Sequence, residues 1–221
     1  MPETSTTAVV GVGNIGSAVA RHLSRGGESI VLAGNDRGHV DALAAEIGPL
    51  ARAASVEEAI SSADAIVFAL WLDAMKEVIP HQARLLEGKV VVDPSNPIGF
   101  DESGNPMRTL PEGQSSGSIV AGLLPQSAHY VKAFGTLAAD ALAGSALRQP
   151  RRALLFYATD DDVAATTIER LIRVAGFDPL KAGGLDAVGR IEAPGGDLHQ
   201  FGFNGEVVDL DQGRAALTGG G

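Results

Sequence analysis

The sequence predicts an α/β protein with a doubly wound, mostly parallel sheet. Short runs rich in valine and isoleucine alternate with segments of helical period, which is the pattern of βαβ units. Most of the apolar runs are continuous rather than alternating, as is typical of strands that are covered on both faces. The 221 residues, 45% hydrophobic and 20% charged, suffice for one large domain or two small ones.

The predicted elements alternate along the whole chain. The strands share a continuous apolar character and are placed at residues 8–12, 29–32, 65–70, 90–93, 130–134 and 153–158, with a weaker one at 179–182. The helices between them are placed at residues 15–25, 40–47, 56–61, 73–86, 115–124, 136–143 and 161–175. Ser55 with Glu58 has the form of a capping box, and Pro80 predicts a kink or restart within 73–86.

Two segments break the regular pattern. Residues 94–113 are rich in proline and glycine and lack periodicity, so we expect a long functional loop there. Residues 144–152 form a second break, which divides a first domain, 1–145, from a smaller C-terminal α/β domain, 146–221. The final stretch, 213–221, is predicted to be loose.

Composition excludes several classes of partner and of chemistry. The formal net charge of −10 argues against a nucleic-acid partner, since phosphate binding needs a basic face. The absence of cysteine excludes disulfides, thiolate metal sites and a cysteine nucleophile. The N-terminus lacks the pattern of a signal peptide, and no window approaches the ~20 apolar residues of a membrane span. We therefore expect a cytoplasmic protein with no membrane partner.

Three glycines follow the first predicted strand and open the first predicted helix. Their G-x-G-x-x-G spacing, with a second strand ending about twenty residues later, predicts a dinucleotide-binding turn of the Rossmann type. Gly11 permits the turn, Gly13 lets the backbone approach a pyrophosphate, and Gly16 lets helix and strand pack closely. The N–H groups near Asn14 and Ile15 would then face the anion at the positive end of the helix dipole. An ordinary strand-to-helix turn is the alternative.

The end of the second strand bears on which dinucleotide is bound. Asp36 lies twenty residues after Gly16, close to where an acidic side chain bonds the ribose 2′-OH of NAD. Arg37 and the backbone after Gly34 could instead hold the 2′-phosphate of NADP. Solvated loop charges would give the same pattern. Asn35, Asp36 and Arg37 are therefore candidate cofactor contacts, and the choice between NAD and NADP stays open at this point.

Four stretches resemble the NADPH-dependent deazaflavin reductases, formally 8-hydroxy-5-deazaflavin:NADPH oxidoreductases, and the wider group of dinucleotide-binding reductases around them. They are GVGNIGSAVARHL at 11–23, VVVDPSNPIG at 90–99, YVKAFGTLAADAL at 130–142 and GFDPLKAGGL at 176–185. The sequence departs from the family in two places. Residues 34–37 keep one arginine and introduce an aspartate, and Gly135 stands where the family carries asparagine.

The resemblance carries expectations about fold, cofactor and activity. It implies a Rossmann-like domain that binds NADP(H), a smaller C-terminal domain that closes a cleft over the nicotinamide, and a homodimer. It also implies a hydride transfer to a deazaflavin, coenzyme F-420, or to a flavin-type co-substrate. In such a transfer the protein supplies stacking, orientation and dryness rather than a strong acid or base.

Further cofactor contacts are expected where strands end. Leu70 and Trp71 follow the run at 65–70, on the edge where doubly wound sheets present loops to their ligand, although Trp71 also fits a packing aromatic. Asn96 follows the next strand, where its amide could bond the nicotinamide carboxamide or cap the loop, and Pro97 fixes the turn.

No strong catalytic constellation stands out in the sequence, which contains no G-x-S-x-G elbow, no P-loop and no H-E-x-x-H. His129 and Lys132 are the candidate catalytic residues. The alternatives are that His129 has a structural role and that Lys132 is a solvated charge on an edge strand. The histidines lack ligand-like spacing, so no metal is expected.

Three functions follow from these patterns. The first is an NADP(H)-dependent oxidoreductase with a deazaflavin, flavin or other small-molecule acceptor. The second is a reductase of a small carbonyl or imine, in which His129 or Lys132 would protonate the product. The third is a non-catalytic dinucleotide-sensing module.

Overall fold

The structure is a computed structural model that describes residues 5–103 and 106–219. The strands are β1 (Thr6–Val10), β2 (Ser29–Ala33), β3 (Ala51–Ala53), β4 (Ala65–Phe68), β5 (Val90–Asp93), β6 (Ile98–Phe100), β7 (Pro106–Arg108), β8 (His129–Lys132), β9 (Leu154–Ala158) and β10 (Asp178–Gly183). The α-helices are α1 (Asn14–Arg25), α2 (Arg37–Ile47), α3 (Val56–Ser61), α4 (Leu72–His81), α5 (Ala83–Leu86), α6 (Ser116–Leu123), α7 (Ala139–Gly144), α8 (Asp162–Val174) and α9 (Leu210–Gly219). Two 3₁₀ helices lie at Leu185–Ile191 and Gln200–Phe203.

Eight of these strands form one sheet in the order β3-β2-β1-β4-β5-β8-β9-β10. The first six of that order are mutually parallel, and their arrangement is the 3-2-1-4-5-6 order of a doubly wound Rossmann sheet. β9 joins β8 antiparallel, at the pair Lys132–Ala158, and β10 runs parallel to β9. The predicted fold class is therefore confirmed.

Helices cover both faces of the sheet, which explains the continuous apolar runs. On one face, alternate strand residues such as Val9 and Val131 pack with side chains of α1, α2, α7 and α8. On the other face, the intervening residues such as Val10 and Phe68 pack with side chains of α3, α4, α5 and α6. Because both faces are buried there, strands β1, β2, β4 and β5 are apolar along most of their length rather than at every second position.

The connection after β1 leads to β2 and β3 on one side of the sheet, whereas β4, β5 and β8 extend the other side. The carboxyl ends of β1 and β4 therefore stand next to each other at the point where the strand order reverses. In open α/β sheets the loops separate at this point and leave a crevice for a ligand.

The structure corrects several of the predicted elements. The predicted helix at 73–86 is divided into α4 and α5 at Gln82, two residues after Pro80, so the restart is confirmed. The segment 94–113 is not a plain loop, because β6 and β7 pair there as an antiparallel hairpin. The stretch predicted to be loose from residue 213 is helical to Gly219, with residues 220 and 221 outside the described part.

The C-terminal segment extends the same sheet instead of forming a separate one. Apolar residues of β9 pack with the 3₁₀ helix at Leu185–Ile191 and with α9, whose Ala216 and Leu217 contribute to this third core. This packing is what holds the terminal helix in place. The division into domains 1–145 and 146–221 stays a prediction. Within the described ranges, no helix combines the length and the apolar character needed to cross a membrane.

Candidate functional site

The glycine turn between β1 and α1 is shaped by close contacts at two of its three glycines. Gly11 has a φ of +96°, and a Cβ there would lie 2.3 Å from the carbonyl oxygen of Ala69. A Cβ on Gly16 would lie 1.9 Å from the carbonyl oxygen of Gly11. At Gly13, by contrast, a Cβ would meet no atom of the described residues within 4 Å. Packing therefore requires Gly11 and Gly16, whereas the space in front of Gly13 is open.

The open space faces the start of α1. The Gly13 carbonyl accepts the N–H of Ser17 at 2.8 Å, which begins the helix. In the described structure no side chain caps this N-terminus, and its first turn carries no acidic residue. The main-chain N–H groups of Asn14 and Ile15 therefore stand at the positive end of the helix dipole, as a diphosphate would require.

A cavity of about 480 Å³ opens beside this turn. Its lining comes from the glycine turn, from the segments that follow β4 and β5, from the start of α7 and from the C-terminal part of the chain. The lining residues are 13–15, 69–71, 94–96, 98, 100, 137–139, 193, 199 and 201. The lining is mostly apolar. The predicted contacts Gly13, Leu70 and Asn96 are thus brought together, whereas Pro97 is not part of the lining; its carbonyl accepts the N–H of Thr109 beside the hairpin.

Three exposed aromatic side chains line the cavity, and we call Trp71, Phe100 and Phe201 the aromatic mouth. Their exposed fractions are 64%, 62% and 53%. Large apolar side chains that are exposed around one concave site are typical of an interaction surface, either for a ligand or for a protein partner. Because aromatic rings stack face to face or edge to face, this surface suits a flat conjugated ring.

The polar residues deeper in the cavity are held by backbone groups. The Asn96 amide donates to the Gly135 carbonyl at 2.9 Å and accepts the Ala193 N–H at 2.8 Å. His199 accepts the Phe201 N–H through Nδ1 at 3.2 Å. Burial lowers the pKa of His199 to about 4, against a smaller raising effect of its hydrogen bond with the Gly135 backbone. His199 is therefore neutral at physiological pH.

Gly135, which departs from the family pattern, has a steric explanation. A Cβ at this position would lie 2.4 Å from the Pro94 carbonyl oxygen. The amide of Asn96 also reaches the Gly135 carbonyl in this crowded place. The chain therefore has no room for a side chain here.

The loop after β2 presents Asn35, Asp36 and Arg37 to solvent. Asp36 is the N-cap of α2, and its carboxylate accepts the His39 N–H at 3.0 Å. The Arg37 guanidinium donates through Nε to Asp41 at 2.9 Å and remains 61% exposed. The aspartate thus has a structural use in this loop, while the arginine forms an exposed ion pair with Asp41 that a ligand anion could compete for.

The two candidate catalytic residues lie outside the described lining of the cavity. His129 is at the amino end of β8, and its Nδ1 lies 2.7 Å from Oδ2 of Asp161. Lys132 is only 2% exposed, so the expectation of a solvated edge charge is wrong. The physical reason is that β9 continues the sheet past β8, which makes β8 an interior strand.

No local pattern in the sequence indicates that Phe100, Ala193, His199 and Phe201 line the cavity. Phe100 ends a three-residue strand, too short to show alternation. The other three lie about one hundred residues further along the chain, in 3₁₀ and irregular structure. Among the described residues, no group of three or more histidine, cysteine, aspartate or glutamate side chains is placed to hold a metal ion.

The strand order, the glycine turn and the crevice define a Rossmann-type nucleotide-binding α/β protein. Residues 6–97 match the family described as NADP oxidoreductase coenzyme F420-dependent. The resemblance to the NADPH-dependent deazaflavin reductases is thereby confirmed over this segment. No curated protein sequence matches the chain significantly.

Solved structures share the fold over most of the chain. A hypothetical protein from Sinorhizobium meliloti is 29% identical with a TM-score of 0.80, covering 94% of this chain and 96% of the other. A provisionally assigned F420-dependent NADP reductase from Arthrobacter sp. FB24 is 21% identical with a TM-score of 0.72, covering 82% and 86%. A reductive aminase from Aspergillus terreus, solved with NADPH4, cyclohexanone and allyl amine, is 18% identical with a TM-score of 0.59; the match covers 82% of this chain and 55% of that one.

The family match and the fold together support an NADP-dependent oxidoreductase with NADP(H) as its cofactor. The shape of the glycine turn fits this cofactor, because Gly13, beside which a diphosphate would lie, is the one of the three glycines of the turn whose Cβ direction is open.

Proposed function

We propose that the protein transfers a hydride between NADP(H) and a deazaflavin- or flavin-type ring. One observation carries this proposal: the open face of Gly13 and the aromatic mouth belong to the same cavity. A main chain that can approach a diphosphate therefore stands beside exposed aromatic side chains that can stack on a second ring.

The residues of the turn would hold the cofactor. The N–H groups of Asn14 and Ile15 would bond the diphosphate, and the apolar side chain of Leu70 would pack beside the nicotinamide. When bound, NADP(H) supplies or accepts the hydride. The chain itself orients the two rings and excludes water through its apolar lining, which lowers the entropic part of the barrier.

The loop after β2 would select the phosphorylated form of the dinucleotide. Asp36 is engaged as a helix cap, so its carboxylate is less available to a ribose hydroxyl. Arg37 is exposed and carries a planar guanidinium, which suits a 2′-phosphate dianion. We therefore propose Arg37 as the contact to the 2′-phosphate, with the backbone of Asn35 beside it.

The cavity favours ring-to-ring hydride transfer over reduction of a carbonyl or imine. That second reaction needs a donor that protonates the product. The ring of His199 is neutral and bonded to backbone groups, and His129 is held by Asp161 at the amino end of β8. The described lining thus offers little general acid, whereas hydride exchange between conjugated rings requires none.

The C-terminal segment supplies part of this site. Ala193, His199 and Phe201 all come from the predicted domain 146–221, and they line the same cavity as the glycine turn. We propose that this segment closes the cleft over the nicotinamide. The homodimer and the cytoplasmic location stay predictions.

The proposal is tested by titrating the purified protein with NADPH and NADH and then screening acceptors by the loss of absorbance of NADPH. The acceptors are 8-hydroxy-5-deazaflavin, FMN, FAD and ferric chelates. We expect NADPH to bind more tightly than NADH and at least one deazaflavin or flavin to be reduced. Phe201→Ala should raise the KM for that acceptor and leave the Kd for NADPH unchanged.

A matched control is Val163→Ala, which removes an apolar side chain that is 52% exposed on α8, away from the cavity. It should change neither constant. Tight NADPH binding without turnover of any acceptor would contradict the proposed enzyme and support a dinucleotide-sensing module. Turnover of imines or ketones but of no flavin-type ring would support the second function instead.

A further inference from the structure

A buried cluster of charges, formed by Asp93, Lys132 and Glu192, lies directly beside the cavity. The exposed fractions of these residues are 0%, 2% and 0%. The residues that follow the two acids, Pro94 and Ala193, line the cavity. Burying three charged groups is costly unless each is paired, and nothing in the proposed hydride transfer uses them.

The carboxyl group of Glu192 is surrounded by hydrogen-bond donors. Its Oε1 accepts the Ser116 hydroxyl at 2.7 Å and the Gly117 N–H at 2.8 Å, and it lies 3.1 Å from Nζ of Lys132. Its Oε2 accepts the Ser116 N–H at 3.2 Å. The Lys132 ammonium and the backbone N–H groups of Ser116 and Gly117 can only donate, and a carboxylate accepts all of these bonds together with that of the Ser116 hydroxyl.

The carboxyl group of Asp93 is likewise surrounded by donors. Its Oδ1 accepts the Ser95 N–H at 2.8 Å, and its Oδ2 accepts the Tyr130 hydroxyl at 2.9 Å and the Lys132 ammonium at 3.0 Å. The pKa of Tyr130 lies well above its ordinary value. Burial is the largest cause, the neighbouring Asp93 is the next, and Glu192 is the smallest.

The cluster holds two carboxylates and one ammonium, which leaves one net negative charge. The N-terminus of α6, which bonds Glu192, offsets part of this charge. Arg108 reaches the Pro194 carbonyl at 3.3 Å, but it is half-buried, so solvent screens its cation more than it screens the cluster. A partly uncompensated negative charge thus remains in a medium of low dielectric constant, next to the cavity.

We propose that this buried charge stabilises the oxidised, cationic nicotinamide, so that the site binds NADP+ more tightly than NADPH. The inference rests on the proposed function, since it needs the nicotinamide in the cavity. The two forms share their ribose, diphosphate and 2′-phosphate groups and differ by one positive charge on the nicotinamide ring. Because the two forms also differ by the added hydride on that ring, it is the change in the ratio of their dissociation constants when one buried charge is removed that reports the electrostatic effect of that charge on the ring.

The test measures Kd for NADP+ and for NADPH by isothermal titration calorimetry in the wild type, in Glu192→Gln and in Asp93→Asn. Each variant removes one negative charge and nearly conserves the shape of the side chain. We expect each to lower the preference for NADP+ on the order of tenfold, because a unit charge close to the ring still acts on it at the effective dielectric constant of about 20 that describes protein interiors.

Glu28→Gln is the matched control. Glu28 is also buried, at 5% exposure, and is paired with Arg170 at 2.6 Å and with the Thr7 hydroxyl at 2.8 Å. It precedes β2 and therefore lies at the amino end of the sheet, away from the cavity. This variant also removes one buried negative charge from an ion pair, whose cation, Arg170, is 40% exposed, and it should leave the ratio of the two constants unchanged.

A salt series on the wild type gives a second test that does not depend on a variant folding. Because a buried charge is weakly screened, the preference for NADP+ should persist between about 50 mM and about 500 mM salt. The proposal is overturned if the wild type binds NADPH as tightly as NADP+, if the preference vanishes at high salt, or if both folded cluster variants keep the wild-type ratio. If neither nucleotide binds the wild type, it is the proposed function that fails.

Discussion

Replacing Gly13 by valine should abolish NADP(H) binding and leave the protein folded. Gly13 has a φ of −68° and a ψ of −166°, which is extended backbone that valine adopts readily. The Cβ would meet no described atom within 4 Å. Both facts imply that the fold tolerates this substitution, whereas the added side chain fills the space through which a diphosphate approaches the N–H groups of α1.

Gly13→Val should slightly raise the free energy of unfolding and strongly lower the affinity for NADPH. A substitution of glycine that fits the native backbone stabilises a protein by about 0.4–1 kcal/mol, because it restricts the unfolded chain. Loss of close contact with the diphosphate should weaken NADPH binding by at least ~100-fold, or about 2.7 kcal/mol. Gly16→Ala provides the contrast, since its Cβ would lie 1.9 Å from a backbone oxygen. Overpacking of that kind costs about 1–3 kcal/mol of stability.

The assay combines thermal unfolding of each variant with calorimetric titration of NADPH. We expect Gly13→Val to unfold at or slightly above the wild-type temperature and to show no heat of binding, and Gly16→Ala to unfold at a lower temperature. Unchanged NADPH affinity in a folded Gly13→Val protein would refute the reasoning. So would a Gly16→Ala protein as stable as the wild type.

Three further predictions concern single side chains. Arg37→Ala should weaken NADPH far more than NADH, because only NADPH carries the 2′-phosphate; competitive binding assays with the two nucleotides check this, and equal losses would contradict the phosphate role. Trp71→Ala should raise the KM for the acceptor several-fold and leave the Kd for NADPH within about twofold, since the exposed ring stacks on the acceptor; a lower NADPH affinity with an unchanged KM would count against the aromatic mouth. His199 makes stability depend on pH. Its folded-state pKa of about 4 lies below the ordinary 6.5, so the unfolded chain takes up the proton first. The contribution of His199 is intact above pH ~6.5 and declines as the pH falls toward 4, by up to about 3 kcal/mol. Urea unfolding at several pH values should therefore show a smaller decline in His199→Gln than in the wild type, and equal declines would exclude this histidine as the cause.

The framework of the fold could be predicted because its signals are local. A parallel strand that is buried on both faces is apolar at every position, so β1, β2, β4 and β5 stand out as continuous runs. The capping box at Ser55 and Glu58 is complete in the structure, and it places the start of α3 correctly. The three-residue strands were missed because so short a segment has no detectable period.

The C-terminal helix α9 depends on long-range contacts, which local sequence patterns do not report. The glycine-rich tail was predicted to be loose, yet α9 is ordered by contacts of Ala216 and Leu217 with strands far away in sequence. In the same way, no local pattern indicates that Lys132 lies among buried acids. That placement depends on β9 covering β8, which is a tertiary fact.

The residues of the candidate site also divide into those that a local sequence signal indicates and those that only the folded chain brings together. The glycine turn, Leu70, Trp71 and Asn96 lie at strand ends, where the topology of a doubly wound sheet concentrates ligand contacts. Phe201, in contrast, reaches the cavity from a 3₁₀ helix near the C-terminus, which only the assembled chain brings there. Its exposed ring is recognisable as a site residue only in three dimensions.

A crystal structure of the protein with NADP+ is the most direct test of the claim that the turn at Gly13 holds the cofactor. We expect the diphosphate within about 3.2 Å of the main-chain nitrogens of Asn14 and Ile15, with the nicotinamide in the cavity that the aromatic mouth borders. Clear density for the nucleotide elsewhere, with side chains or solvent against Gly13, would contradict the claim.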